Sequence, residues 1–186
     1  MTETIPRESI ILVAATRPSD YVDSFVVSVR HAERHSIDYL AAMVFSAVPP
    51  WANALLTLGD WVASCLGARK GSPGRSRRVP RDIRFHPGER VGYFRLSHRT
   101  EDEVVMAESD ALLDFRTSVR RIPRKDGLTD VELTTVVWTN SVWGRFYFAP
   151  VKPIHRFLIR RLLQSFAKRM EEADSRRANR TRSDES

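Results

Sequence analysis

Across residues 153–172, apolar side chains recur at Ile154, Phe157, Leu158, Leu162, Phe166 and Met170, with Ile159 and Leu163 widening the row. Intervals of three and four put them on one face of an α-helix, about 30 Å long at about 1.5 Å per residue. Most of the stability of such a helix comes from packing its apolar face on something else. The covering surface has to come from earlier in the chain, because the residues after Asp174 are polar and rich in arginine. One long amphipathic helix closing over previously formed structure is therefore the constraint that any fold of this chain must meet.

Most of what precedes that helix reads as strand. In residues 21–30, Phe25, Val27 and Val29 alternate with Val26, Ser28 and Arg30, the period of a strand. A polar connector, 31–36, leads to a helical pattern over 37–47, with Ile37, Leu40, Ala41, Val44 and Phe45 on one stripe. Pro49 ends that helix, and Pro50 suits the first turn of a second one that stops at Gly67. Strand patterns then follow at 91–98, 103–108, 111–122 and 131–139, with an Asp126-Gly127 hairpin turn before the last. Residues 144–148, with Phe146, Tyr147 and Phe148, read as an extension of that strand or a further one. Segregated helices and a mainly antiparallel sheet mean an α+β protein.

The chain has 186 residues, 42% hydrophobic and 28% charged, enough for one domain with its own core and unlike a disordered chain. The expected layout is a flexible arm over 1–19, a domain over 20–172 and a disordered arginine-rich tail over 173–186. A basic Gly/Pro/Arg loop is inserted at 68–87. The formal charge of +7 is concentrated in that loop and in the last helix with its tail. Neither segment interleaves aromatic residues able to stack bases, so specific nucleic-acid binding is not expected. The uncharged run 39–59 is broken by Pro49-Pro50 and is read as two buried helices, not a transmembrane segment. Residues 10–15 are too short an apolar run for a signal peptide. With the lone Cys65 unable to form an internal disulfide, a cytoplasmic protein is expected.

Several short motifs follow one another in this order: Tyr21-Val22-Asp23-Ser24-Phe25, Pro50-Trp51, Leu113-Asp114-Phe115-Arg116-Thr117-Ser118-Val119, and Asn140 through Gly144-Arg145-Phe146-Tyr147 to Val151-Lys152-Pro153-Ile154-His155. Together they resemble the bacterial domain-of-unknown-function family 2867. The order of elements also resembles the helix-grip fold of the START/SRPBCC superfamily, which includes the birch-pollen allergen. That resemblance implies a curved antiparallel sheet wrapped on the C-terminal helix, two short helices after the first strand, and an apolar pocket between sheet and helix. It implies a small hydrophobic ligand such as a lipid or polyketide, and no cofactor. A cyclase- or aromatase-like enzyme, or an interaction module for a short-chain-dehydrogenase-like partner, are the alternatives it leaves open.

Candidate ligand-binding residues are Trp51, Arg95, Asp114, Arg116, Trp143, Arg145 and His155. Asp114 and Arg116 share one strand face, where they form either an outer-face ion pair or the polar end of a pocket. Arg145 and His155 flank the expected start of the long helix, where an imidazole is disfavoured as a cation. Trp143 beside Gly144 suits a pocket mouth. His31 and His35 have metal-binding spacing but sit in a connector without an evident third ligand, so no metal site is expected. Catalytic residues are not identifiable; under the enzyme reading Asp114, Arg145 and His155 are the first acid/base candidates.

Overall fold

The computed structural model describes residues 2–3, 9–13, 18–47, 83–86, 88–91, 94–109 and 111–184. Its strands are β1 (Thr2–Glu3), β2 (Tyr21–Arg30), β3 (Arg90–Val91), β4 (Phe94–Arg99), β5 (Glu103–Ser109), β6 (Leu113–Pro123) and β7 (Leu128–Thr139). The helices are α1 (Ile10–Val13), α2 (Ile37–Ser46) and α3 (Val142–Asp184), with a 3-10 turn at Ala32–Arg34. All seven strands form one antiparallel sheet in the order β1-β2-β7-β6-β5-β4-β3. An open antiparallel sheet, a short helix after the long first strand and a long C-terminal helix make an α+β fold of helix-grip type. The second short helix expected after Pro50 falls outside the described residues, as do Trp51, Cys65 and most of the basic loop.

Strand alternation sorts side chains between two faces of the sheet. The inner face presents Phe25, Val29, Leu96, Val104, Met106, Val119, Val131 and Leu133 to α2 and α3. From α2 come Ile37, Leu40 and Val44, and from α3 Ile159, Leu162, Leu163, Phe166 and Met170, all in one buried cluster. Ser36 caps α2 by accepting from the Tyr39 N–H at 3.2 Å. In the first turn of α2, the fully buried Asp38 is gripped by Arg99 of β4 through Nε and Nη2, the shortest contact being 2.6 Å. This bidentate pair ties the helix to the sheet and satisfies a charge that would otherwise be costly to bury.

The outer face is covered in part by the chain's own N-terminal segment. Ile10 and Ile11 pack on Val105, Val136 and Trp138. The Glu103 carboxylate accepts from Ser9 Oγ and, at 3.0 Å, from the Ile10 N–H. This explains why β7 is buried on both sides from Val131 to Trp138. Beside this cover lies a polar seam in which Ser24 Oγ donates to Glu132 Oε1 at 3.0 Å. Glu132 Oε2 is buried without a hydrogen-bond partner among the described residues, the Arg120 guanidinium standing 4.0 Å away.

The long helix departs from expectation at both ends. Residues 144–148 are not strand: α3 begins at Val142, and Pro150 and Pro153 lie inside it. The aromatic run favours a strand by propensity, but Ser141 caps a helix there, its Oγ accepting from the Gly144 N–H at 3.1 Å. Gly144 permits the approach, since a Cβ at that position would lie 2.2 Å from the Leu112 carbonyl oxygen. Arg145 and His155 accordingly lie within the helix, with His155 well past its first turn, where the N-terminal dipole effect has faded. At the other end α3 continues through Asp184. The buried stripe also differs: Phe148 joins it, while Ile154 and Phe157 face outward.

Two outcomes follow for stability. Phe166→Ala should cost about 3–5 kcal/mol in denaturant unfolding, the usual loss for emptying a fully buried aromatic site; a loss like that of a surface change would contradict this packing. Burial pushes the Glu132 carboxyl above the usual glutamate range, reinforced by Glu103 and Asp130 and opposed by Ser24 and Arg120. The folded state then binds the proton more tightly than the unfolded one, so stability falls as pH rises through that raised value. Glu132→Gln should therefore be more stable than the wild type at neutral pH, with the advantage shrinking as pH falls through that raised value to the ordinary glutamate range and levelling off below it. Thermal melts across pH would show this, and an advantage independent of pH would count against it.

Candidate functional site

Near one end of the sheet–helix interface the apolar packing gives way to a polar cluster. Along β2, Tyr21 and Asp23 share the parity of Phe25 and point to the same inner face. Register places Asp23 opposite Thr135 of β7, which in turn lies opposite Thr117 of β6. The adjacent inner row runs Tyr21, Val137, Phe115. Above these rows α3 contributes Phe148, Lys152 and His155, whose spacings of four and three keep them on one helix face.

His155 is the roof of the cluster. Its Nε2 lies 3.1 Å from Thr135 Oγ1 and 3.6 Å from Asp23 Oδ1. The rings of Tyr21 and Phe115 stand edge-on to the imidazole at 6.3 and 6.2 Å. Tyr21 also meets Phe148 edge-on at 5.3 Å, and Lys152 Nζ lies 5.5 Å from both of those ring centroids. Such a cation–π position holds the ammonium over the aromatic group.

Asp23 is the chemically unusual member. It is buried, and its Oδ2 accepts a 2.5 Å hydrogen bond from the Tyr21 hydroxyl. Its Oδ1 is buried with no hydrogen-bond partner among the described residues, because His155 Nε2 stands beyond hydrogen-bonding reach. A buried acceptor left unpaired carries a desolvation cost that a donor arriving from outside would offset. A donor approaching Asp23 Oδ1 from the side of His155 Nε2, 3.6 Å away, would meet the carboxylate acceptor with the imidazole beside it. Aromatic rings would bound it on the flanks.

Of the described residues singled out from the sequence, only His155 takes part. Asp114 and Arg116 lie on the outer face, opposite to α3. Asp114 Oδ1 accepts from Ser109 Oγ and, at 3.1 Å, from Asn140 Nδ2, while the Arg116 guanidinium sits 5.1 Å over the Trp138 ring. Arg95 is exposed on β4 and donates to the Gly88 carbonyl at 3.3 Å. Trp143 and Arg145 are exposed on the first turn of α3, and Trp51 is outside the described residues. The two connector histidines go separate ways: His31 faces Glu33 at 3.7 Å and His35 stacks on Tyr39. Tyr21, Asp23 and Thr135 were missed as site residues, although the parity shared by Tyr21, Asp23 and Phe25 is the signal that finds the first two.

Removing the tyrosine hydroxyl leaves both Asp23 oxygens without a donor. Tyr21→Phe should thus lose about 1–3 kcal/mol in urea unfolding, the penalty for an unsatisfied buried acceptor. A loss within the roughly 0.5 kcal/mol typical of surface changes would mean that Asp23 is solvated.

No curated protein matches the chain. A family model described as "Protein of unknown function (DUF2867)" matches residues 15–162. That span contains the whole long-stranded part of the sheet and every member of the Tyr21–Asp23–Thr135–His155 cluster. The matched region covers most of the 186 residues, and the chain belongs to this DUF2867 family of proteins of unknown function.

Proposed function

We propose that the protein binds a small, mainly apolar molecule carrying a hydrogen-bond donor, held between the sheet and the first half of α3. The observation that carries this reading is the buried, unpaired Oδ1 of Asp23 facing His155. Tyr21, Phe115 and Phe148 supply aromatic surface for the body of the ligand, and Asp23 supplies the acceptor that orients it. Mostly apolar walls with a few placed polar groups are the usual make-up of a small-molecule site. A lipid or polyketide-like compound bearing a hydroxyl or amine has the required chemistry, and no cofactor enters the proposal.

A second reading draws on the same atoms. A carboxylate and an imidazole 3.6 Å apart, with a tyrosine hydroxyl on the carboxylate, are the parts needed for general acid–base chemistry on a bound substrate. It assigns Asp23 and His155 the proton-transfer roles, in place of Asp114 and Arg145, which lie outside the cluster.

Native mass spectrometry of the freshly purified protein, followed by organic extraction, tests the binding reading. A reproducible apolar adduct above the 21.3 kDa chain is expected. It should be depleted in Asp23→Asn and His155→Ala and retained in Asp114→Ala. An adduct insensitive to Asp23 and His155 would overturn the assignment. Turnover of an extracted compound that vanishes in both variants would favour the second reading.

A further inference from the structure

The helix that roofs the cluster carries a second apolar stripe on its opposite side, facing solvent. Val142 is 64% exposed, Trp143 68%, Phe146 71%, Ile154 43% and Phe157 50%. Ala149, Pro150 and Pro153 are exposed between them. These positions recur every three or four residues, so they form one continuous strip over 16 residues, about 24 Å of helix. Trp143 and Phe146 lean on each other with ring centroids 6.5 Å apart, and the Arg161 guanidinium lies 5.3 Å over the Phe157 ring. Single exposed apolar residues are ordinary, but a strip of this length is not.

Charge along the same helix is one-sided. From Ser141 to Met170 there is no aspartate or glutamate, while Arg145, Lys152, Arg156, Arg160, Arg161, Lys168 and Arg169 are all basic. Arg145, Arg156 and Arg161 flank the apolar strip, while Lys152 and Arg160 turn inward over the rings of Tyr21, Phe148 and Phe25. The strip itself offers no polar side chain between Val142 and Phe157. A specific protein interface normally brings about one hydrogen bond per 100–200 Å² to fix its register. Tryptophan and phenylalanine on one side with arginine and lysine alongside, and no acidic residue, suit a helix lying in the headgroup region of an anionic bilayer. Among the described residues no helix is long and apolar enough to cross a membrane, so the contact is with the surface.

We infer that the solvent face of α3, from Val142 to Phe157, docks the protein onto an anionic lipid surface. The aromatic residues enter the interfacial region and the flanking arginines, Arg145, Arg156 and Arg161, meet the lipid phosphates. The inference is independent of what the Asp23–His155 cluster binds.

Flotation of the full chain with phosphatidylcholine vesicles, with and without phosphatidylglycerol, is the test. The wild type should float with the phosphatidylglycerol vesicles and not with phosphatidylcholine alone. Trp143→Glu combined with Phe146→Glu should weaken that association about tenfold or more. Equal binding by this double variant would assign any flotation to the arginine-rich C-terminal residues and overturn the inference, as would no binding by the wild type. Sedimentation without lipid serves as the cross-check: a dimer abolished by the same substitutions would make the strip a self-association face instead. Should the double variant fail to fold, brominated phosphatidylglycerol vesicles give the same answer. They should quench wild-type tryptophan emission, and Trp143→Phe should remove most of that quenching. Quenching that is absent, or unchanged in Trp143→Phe, would overturn the inference.

Discussion

The packing of α3 across the inner face of the sheet is the contact from which the other features follow. Leu163 and Phe166 are fully buried against a layer that includes Phe25, Val119, Val131 and Leu133. No single strand pair or hairpin of this sheet would be stable in water without such a cover. Burial of the helix stripe also fixes its rotation about its own axis. Once Leu162, Leu163 and Phe166 face the core, Phe148, Lys152 and His155 must face the start of β2, and Trp143 and Phe146 must face away. Both the polar cluster and the exposed strip are thus set by one packing choice made some three turns downstream.

Polar groups within this interface fall into two kinds. Asp38 is buried with a full bidentate partner in Arg99, and the pair locks α2 to the sheet. Asp23 is buried with half of its carboxylate satisfied. A fold that can place Arg99 so well on one aspartate has left the other incomplete, and residues held at an energetic cost often mark a working site. Glu132 on the outer face is a comparable case, but it faces Ser24 and Thr134 of the sheet's own polar seam and not an aromatic enclosure.

Much of this architecture is legible in the sequence, and the failures have physical causes. The strands β2, β4 and β6 follow from period-two alternation, β7 from its run of β-branched residues, and the buried part of α3 from Ile159 to Met170 from its helical spacing. The start of α3 was hidden because Phe146, Tyr147 and Phe148 favour strand while Pro150 and Pro153 oppose helix. The Ser141 cap and the Gly144–Leu112 contact that decide the matter are tertiary. Asp114 and Arg116 illustrate the opposite error. Their parity is opposite to that of Phe115, Thr117 and Val119, which already places them away from the core, yet the motif they belong to drew attention to them. Asp23 enters the sequence reading only as part of a family motif, although its parity with Phe25 puts it inside. The unbroken burial of β7 likewise required the N-terminal cover of Ile10 and Ile11, which no local pattern announces.

The central claim is that the second oxygen of Asp23 awaits a donor from outside the chain. A crystal structure of the protein as purified, or after addition of the apolar compound extracted from it, addresses this at the atom concerned. The account requires a non-protein donor within hydrogen-bonding distance of Asp23 Oδ1, its body lying against Phe115 and Phe148. Closure of His155 Nε2 onto Asp23 Oδ1 as a direct hydrogen bond, with the aromatic rings packed over it and no space for a guest, would contradict it.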